Sequence, residues 1–239
     1  MPLNLNPILL AAAAVLALHA SAAQANLLVN GSFETGPAPG ANLNMLGGST
    51  AITGWTVTGS TIDYVGSLWQ HSDGNRSIDL DGSAGFPHTN GGVAQSFATT
   101  PGTPYVVRFD LAGNPNNAPT LKPMRVSAAG QSQDFIFDIT GRSYADMGWV
   151  ARSWTFSAVA ATTTLEFRSL TQVPPIGWGA ALDNVSVTVI PEPGTWALML
   201  SGLLAVAGMA RRHRNVGAPA GTDAEPEGAA RARTHPKGL

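Results

Sequence analysis

Between residues 100 and 190, apolar and polar positions alternate with the period of two that marks a strand buried on one face. In Tyr105-Val-Val-Arg-Phe-Asp-Leu111 one row carries Tyr105, Val107, Phe109 and Leu111, while Arg108 and Asp110 fall on the other. Phe135, Phe137 and Ile139 repeat the pattern beside Asp134 and Asp138, as do Leu165 and Phe167 beside Glu166 and Arg168. Turn chemistry bounds these runs, as in Thr100-Pro-Gly-Thr, Gly113-Asn-Pro-Asn-Asn and Thr140-Gly141. No segment of the middle of the chain offers a long apolar stripe of helical period. About eight strands at this spacing predict an all-β fold, a β-sandwich of jelly-roll type. A β-solenoid would need a fixed internal repeat, and none is present.

The chain ends break the alternation with two continuous apolar runs. Ile8 to Leu18 has the length of a secretory h-region, and Ala23-Gln24-Ala25 fits the small-residue cleavage pattern, so residues 1–25 are expected to be a signal peptide and Asn26 the mature start. The second run, from Gly194 to Ala210, stops at Arg211, Arg212 and Arg214. A helix over residues 195–210 would be roughly 24 Å long, slightly under a bilayer core of about 30 Å, and is expected to span the membrane. Arginines at its end would stay in the cytoplasm. The tail from Asn215 to Leu239, rich in Ala, Gly, Pro and charge, reads as disordered. What remains, residues 26–190, has the size of one exported domain with a single core.

Composition narrows the chemistry. The chain has no cysteine, which removes disulfides and thiolate metal sites. Residues 26–190 carry 7 basic and 11 acidic side chains, a net charge of −4, which argues against a nucleic-acid partner. No G-x-S-x-G, H-E-x-x-H or phosphate loop occurs. Only His71 and His88 lie in the domain, too few for a three-histidine metal site.

Two resemblances follow from specific residues. Pro191-Glu192-Pro193, the apolar run and the basic stop at Arg211 and Arg212 resemble, in that order, the PEP-CTERM signal. It implies processing by an exosortase in a Gram-negative bacterium: a transient stay in the inner membrane, then the cell surface or the extracellular matrix. Asn26-Leu-Leu-Val-Asn-Gly-Ser-Phe-Glu34, Gly54-Trp55, Ile62 to Gln70, Asp73 to Gly82 and Ala181-Leu-Asp-Asn-Val185 resemble the choice-of-anchor C family and the related plant cell-wall domain family. Both are similar to galactose-binding-like carbohydrate modules, which implies a galactose-binding-like sandwich with Asn26 to Glu34 as its opening strand.

Candidate site residues come from both kinds of reading. Asp183 shares the phase of Val185, Val187 and Val189, and a carboxylate on a core row is costly unless paired or metal-bound. The resemblance implies a structural Ca²⁺ held between the first and last strands by Glu34 and Asp183, with oxygen ligands of the kind calcium prefers. The alternative is that Asp183 accepts backbone N–H bonds at a strand corner. Asp79, Asp81 and Gly82 do not make an EF-hand, because Asn90 stands where the bidentate Glu belongs. Trp69 with His71, Asp73 and Arg76 offers a stacking plane beside hydrogen-bonding groups, and Trp178 another indole in a loop, so these five are the expected carbohydrate contacts. Trp55, Trp149 and Trp154 are expected in the core. The function so implied is non-catalytic binding of extracellular polysaccharide. A structural matrix or adhesion protein acting through protein contacts is the alternative, and a glycoside hydrolase is favoured less.

Overall fold

The computed structural model describes residues 24–83, 90–171 and 177–191, with fragments of 199–208. The signal peptide up to residue 23, the sorting residues Glu192, Pro193, Arg211 and Arg212, and the tail lie outside the described residues. The helix expected over 195–210 is described only at 199–200, 202–204 and 206–208. Among the described residues no helix is long and apolar enough to cross a membrane. Two compact units divide after Ile190.

Among the described residues, eleven strands build the first unit: β1 (Asn42–Leu46), β2 (Thr56–Gly59), β3 (Thr61–Val65), β4 (Ser77–Asp79), β5 (Gly91–Ala98), β6 (Pro104–Gly113), β7 (Leu121–Ala128), β8 (Gln131–Asp138), β9 (Val150–Ser157), β10 (Thr162–Ser169) and β11 (Ala180–Val189). They form a six-stranded sheet in the order β1-β3-β4-β11-β6-β9 and a five-stranded sheet in the order β2-β5-β10-β7-β8. Every pairing is antiparallel. The fold is the expected two-sheet β-sandwich, closed by side chains at period two from both inner faces. Val107, Phe109 and Leu111 of β6 meet Leu165 and Phe167 of β10, all buried, and Phe109 stands edge-on to Phe167 at 5.2 Å between ring centres. Such aromatic pairs add roughly 1 kcal/mol beyond their buried area.

One register crosses the six-stranded sheet on the core side: Tyr64, Ile78, Leu182, Leu111 and Val150. The neighbouring register, facing away from the core, runs Asn44, Asp63, Asp79, Ala181, Ala112. Asp183, Asp110 and Ala151 form a further row on that outer face. Asp183 therefore does not share the phase of the valines that follow it. The β6–β11 register shifts between Asp183 and Ser186, where Asn184 takes a φ of 50°. This is a β-bulge, in which one extra residue turns the strand over, and asparagine is among the few side chains that tolerate the left-handed region. Leu182 lies in the core before the bulge, and Val185 and Val187 after it.

The expected opening strand is also different. Residues 24–34 form no regular strand, and Asn30 and Phe33 have φ values of 55° and 61°. The segment is instead tied to β11 by single bonds. Leu27 N donates to Val187 O at 2.9 Å, Val185 N to Gly31 O at 2.9 Å, and Asn26 Nδ2 to Val185 O at 3.1 Å. A side chain at residue 31 would be impossible, because a Cβ there would sit 2.0 Å from Val185 O.

Candidate functional site

The outer face of the six-stranded sheet carries most of the domain's buried charge, and its carboxylates act as anchors for the loops that cross it. Asp183 is fully buried, and its Oδ2 accepts from the amides of Ser72 at 3.0 Å and Asp73 at 2.9 Å, while Oδ1 accepts from Asn184 N at 2.7 Å. Burial pushes its carboxyl up to about 7, against those three N–H donors, which favour the anion. Glu34 Oε1 takes the amide of Asn75 at 2.9 Å. Between those anchor points Gly74 turns at a φ of +60°, and a Cβ there would meet Glu34 Oε1 at 2.4 Å. Asp110 accepts from Ser72 Oγ and from Asn184 Nδ2 at 3.0 Å. A single loop, residues 70–76, is thus held by Glu34, Asp110 and Asp183.

A second group anchors the far end of the same face. Asp79 accepts from Asn114 Nδ2 at 2.8 Å, Gly179 N at 2.9 Å and Asp81 N at 3.0 Å, and burial holds its carboxyl well above the usual range. Asp63 takes Asn44 Nδ2 at 2.8 Å and Ser83 N at 3.2 Å. Asp81 is pushed up to about 6 by burial, and its Oδ2 has no hydrogen-bond partner among the described residues. Lys122 is fully buried, and its ammonium donates to Trp178 O at 2.7 Å and Asn117 O at 3.2 Å. Burial lowers its pKa against the opposing pull of Asp79 and Asp81.

The expected carbohydrate contacts do not form a site. Trp69 is 5% exposed, joins the core cluster, and donates its Nε1 to Ser77 Oγ at 2.8 Å, so it offers no face to a ligand. Both ring nitrogens of His71 are engaged, with Ser77 Oγ at 2.9 Å and Gly66 O at 2.5 Å. Arg76 lies 5.5 Å from the Tyr64 ring centre and donates to Tyr64 Oη at 2.8 Å and Gly36 O at 3.1 Å. Asp73 is exposed, but its part in the structure is the amide it gives Asp183. Trp178 is half-buried at the opposite end, above Lys122. The metal expectation meets a different difficulty. The groups facing Asp183 are N–H donors, which suit a carboxylate and repel a cation. Among the described residues no three His, Asp or Glu side chains are grouped to hold an ion. The donor set thus fits Asp183 as a hydrogen-bond acceptor and does not fit a calcium clamp.

The face over β11, β6 and β9 carries a hollow of its own. This shallow hollow of about 370 Å³ is lined by Arg108, Asp110, Arg152, Ser153, Asn184 and Ser186, within the size range of small-ligand sites. Arg108 is exposed and makes one long bond, 3.4 Å to Thr188 Oγ1. Ser153 and Ser186 flank it on the neighbouring strands. Trp149, expected in the core, is half-buried and packs against the core cluster, with its Nε1 donating to Gln70 O at 2.8 Å.

The protein is a two-sheet antiparallel sandwich with one outer sheet face partly roofed by carboxylate-anchored loops. The chain belongs to the DUF642 family of proteins of unknown function, whose model matches residues 26–188. The PEP-CTERM protein-sorting motif matches residues 189–215, which marks the chain for export and exosortase processing. Halomucin of Haloquadratum walsbyi is 33% identical over 180 residues, 72% of this chain, and the chain spans 2% of that protein's length. Among solved structures, TmCBM61 in complex with β-1,4-galactotriose is 14% identical with a TM-score of 0.42, covering 70% of this chain and 99% of that one. The CBM22-1–CBM22-2 tandem domain of Paenibacillus barcinonensis Xyn10C is 19% identical, also with a TM-score of 0.42, covering 73% of this chain and 49% of that one.

Proposed function

We propose that this is a non-catalytic, exported polysaccharide-binding protein of the choice-of-anchor C type, which uses the open outer face of the six-stranded sheet. The observation that carries the reading is the hollow over β11, β6 and β9, where hydroxyl, amide, guanidinium and carboxylate groups surround a depression. Sugars offer hydroxyls to such groups and apolar C–H faces to aromatic planes. The matched sorting motif, which indicates export, supports this reading.

The catalytic alternative is weakened by the state of the carboxylates. Glycoside hydrolysis needs two accessible carboxyl groups about 5 to 9.5 Å apart, one with a raised pKa. Asp183, raised to about 7 and in register with Asp110, is the obvious acid, but it is fully buried with both oxygens occupied by amides. A glycan array probed with the exported domain tests the binding reading: saturable binding to at least one polymer, without release of reducing ends, supports it. No binding to any glycan, together with concentration-dependent self-association, would favour the structural matrix role instead.

Processing is tested separately. Because Pro191-Glu192-Pro193 directly precedes the apolar run, protein secreted by an exosortase-bearing host is expected to have an intact mass that excludes that run. A mass including Arg211 would refute the sorting claim.

A further inference from the structure

We infer that the hollow over β11, β6 and β9 is a subsite for an acidic sugar, with the Arg108 guanidinium pairing a uronate carboxylate and Ser153 and Ser186 meeting the ring hydroxyls beside it. This rests on the polysaccharide-binding reading above and deepens it by naming the charge of the sugar and the residues that read it.

Three observations carry it. The first is placement. Ser186 on β11 and Ser153 on β9 both stand opposite Arg108 on β6, so the three form one row across the sheet. Neighbouring strands lie about 4.8 Å apart, which makes the row roughly 10 Å wide at the backbone, with the guanidinium between two hydroxyls. Arg152 adds a second guanidinium to the lining, on β9 at the edge of the sheet.

The second is unused donor capacity. Arg108 carries five N–H donors, and its one bond is long, 3.4 Å to Thr188 Oγ1. Among the described residues neither Arg108 nor Arg152 forms an ion pair, and the hydroxyls of Ser153 and Ser186 have no hydrogen-bond partner. Arg125 on the other sheet shows the contrast, since Asp134 takes its fork in two bonds of 2.6 and 2.8 Å. A guanidinium that the fold leaves unpaired can receive a ligand's carboxylate in that same planar geometry.

The third is the local balance of charge. Among the described residues Asp110 is the one carboxylate in the lining, and its Oδ2 is already engaged by Ser72 Oγ and Asn184 Nδ2. Two guanidiniums against that carboxylate leave one positive charge in excess, which a single uronate neutralises. The domain's net charge of −4 repels a polyanion at a distance. At physiological salt the screening length is about 8 Å, so that repulsion fades, whereas a two-pronged contact at roughly 2.8 Å persists. A neutral ring would occupy the donors with its hydroxyls and leave the excess charge without a partner.

Affinity electrophoresis and isothermal titration calorimetry of the secreted protein, at about 0.15 M salt, test the inference. Polygalacturonate and alginate are the acidic probes, fully methyl-esterified galacturonan and galactan the neutral ones, and dextran sulfate represents a different anion. Saturable binding of polygalacturonate or alginate is expected, about tenfold or more tighter than that of the methyl ester, as for a hydrogen-bonded charge. Arg108→Ala should remove that advantage, and Arg108→Lys should restore it only in part, because an ammonium lacks the planar fork. Arg108 is exposed, so both variants should melt within a few degrees of the parent. Arg168→Ala, which removes an exposed arginine from β10 of the other sheet, should bind as the parent does. Equal or tighter binding of a neutral polymer, preference for dextran sulfate, or uronate binding that survives Arg108→Ala would overturn the inference while leaving polysaccharide binding intact. Failure of every polymer to bind would remove the underlying reading as well.

Discussion

Replacing Asp183 by Asn should change how stability depends on pH, in a direction fixed by the burial of that carboxyl. Its pKa stands at about 7 in the folded domain against 3.8 for the ordinary side chain. Between those values the folded chain holds a proton that the unfolded chain has released. Stability therefore falls as pH rises from about 4 to about 7, and is level above that. At about 1.4 kcal/mol per pH unit the whole span amounts to roughly 4 kcal/mol. This is an upper bound, because loop 70–76 can relax around the anion. Asp81, pushed up to about 6, and Asp79, raised by burial, act in the same direction. His71 opposes them: burial lowers its pKa, so the domain gains stability as pH rises toward 6.5. Comparing variant and parent cancels these shared contributions. Urea unfolding of residues 26–190 at pH 5, 6, 7 and 8 should show Asp183→Asn less stable at pH 5, where it loses an acceptor for Ser72 and Asp73. The deficit should shrink by a few kcal/mol by pH 7. A deficit that is constant, or grows with pH, would refute the account of Asp183 as a desolvated acceptor.

Trp69→Ala should cost roughly 3 to 5 kcal/mol, as for other buried tryptophans, and any change in glycan binding should be no larger than the loss of folded protein explains. A variant melting within a few degrees of the parent would return Trp69 to the surface. Chelation with EDTA should leave the melting temperature of the domain unchanged, since amides face Asp183. A fall reversed by added Ca²⁺, and abolished in Asp183→Asn, would restore the metal clamp.

The long strands were legible because their alternation is unbroken: Tyr105 to Leu111 lies within β6, Phe135 and Phe137 within β8, and Leu165 and Phe167 within β10. The first four strands were not, since they run to only three to five residues and β3 is buried on both faces, leaving no period to detect. The error at Asp183 has a definite origin. Counting back by two from Val187 and Val185 puts Asp183 in the core, but the bulge at Asn184 gives that place to Leu182. The spacing of three between Leu182 and Val185 was the visible trace of the extra residue. Trp69 was expected at the surface for a related reason. Indole burial is decided by which loop closes over the ring, and the loop from Gln70 to Arg76 is held by carboxylates from three distant parts of the chain.

The tie between Leu27 and Val187 also fixes how the domain would bear tension. Any pull arriving through Ile190 acts along β11, an interior strand of the six-stranded sheet held between β4 and β6. Antiparallel β6 runs beside it for most of its length, and Ile190 N is itself bonded to Pro104 O at 2.9 Å. Traction on the C-terminal end therefore loads the β6–β11 ladder in shear, many bonds at once, rather than peeling it open one bond at a time. A load entering on the outer face of β6 would reach Ile190 through that same ladder, leaving the five-stranded sheet outside the path of force.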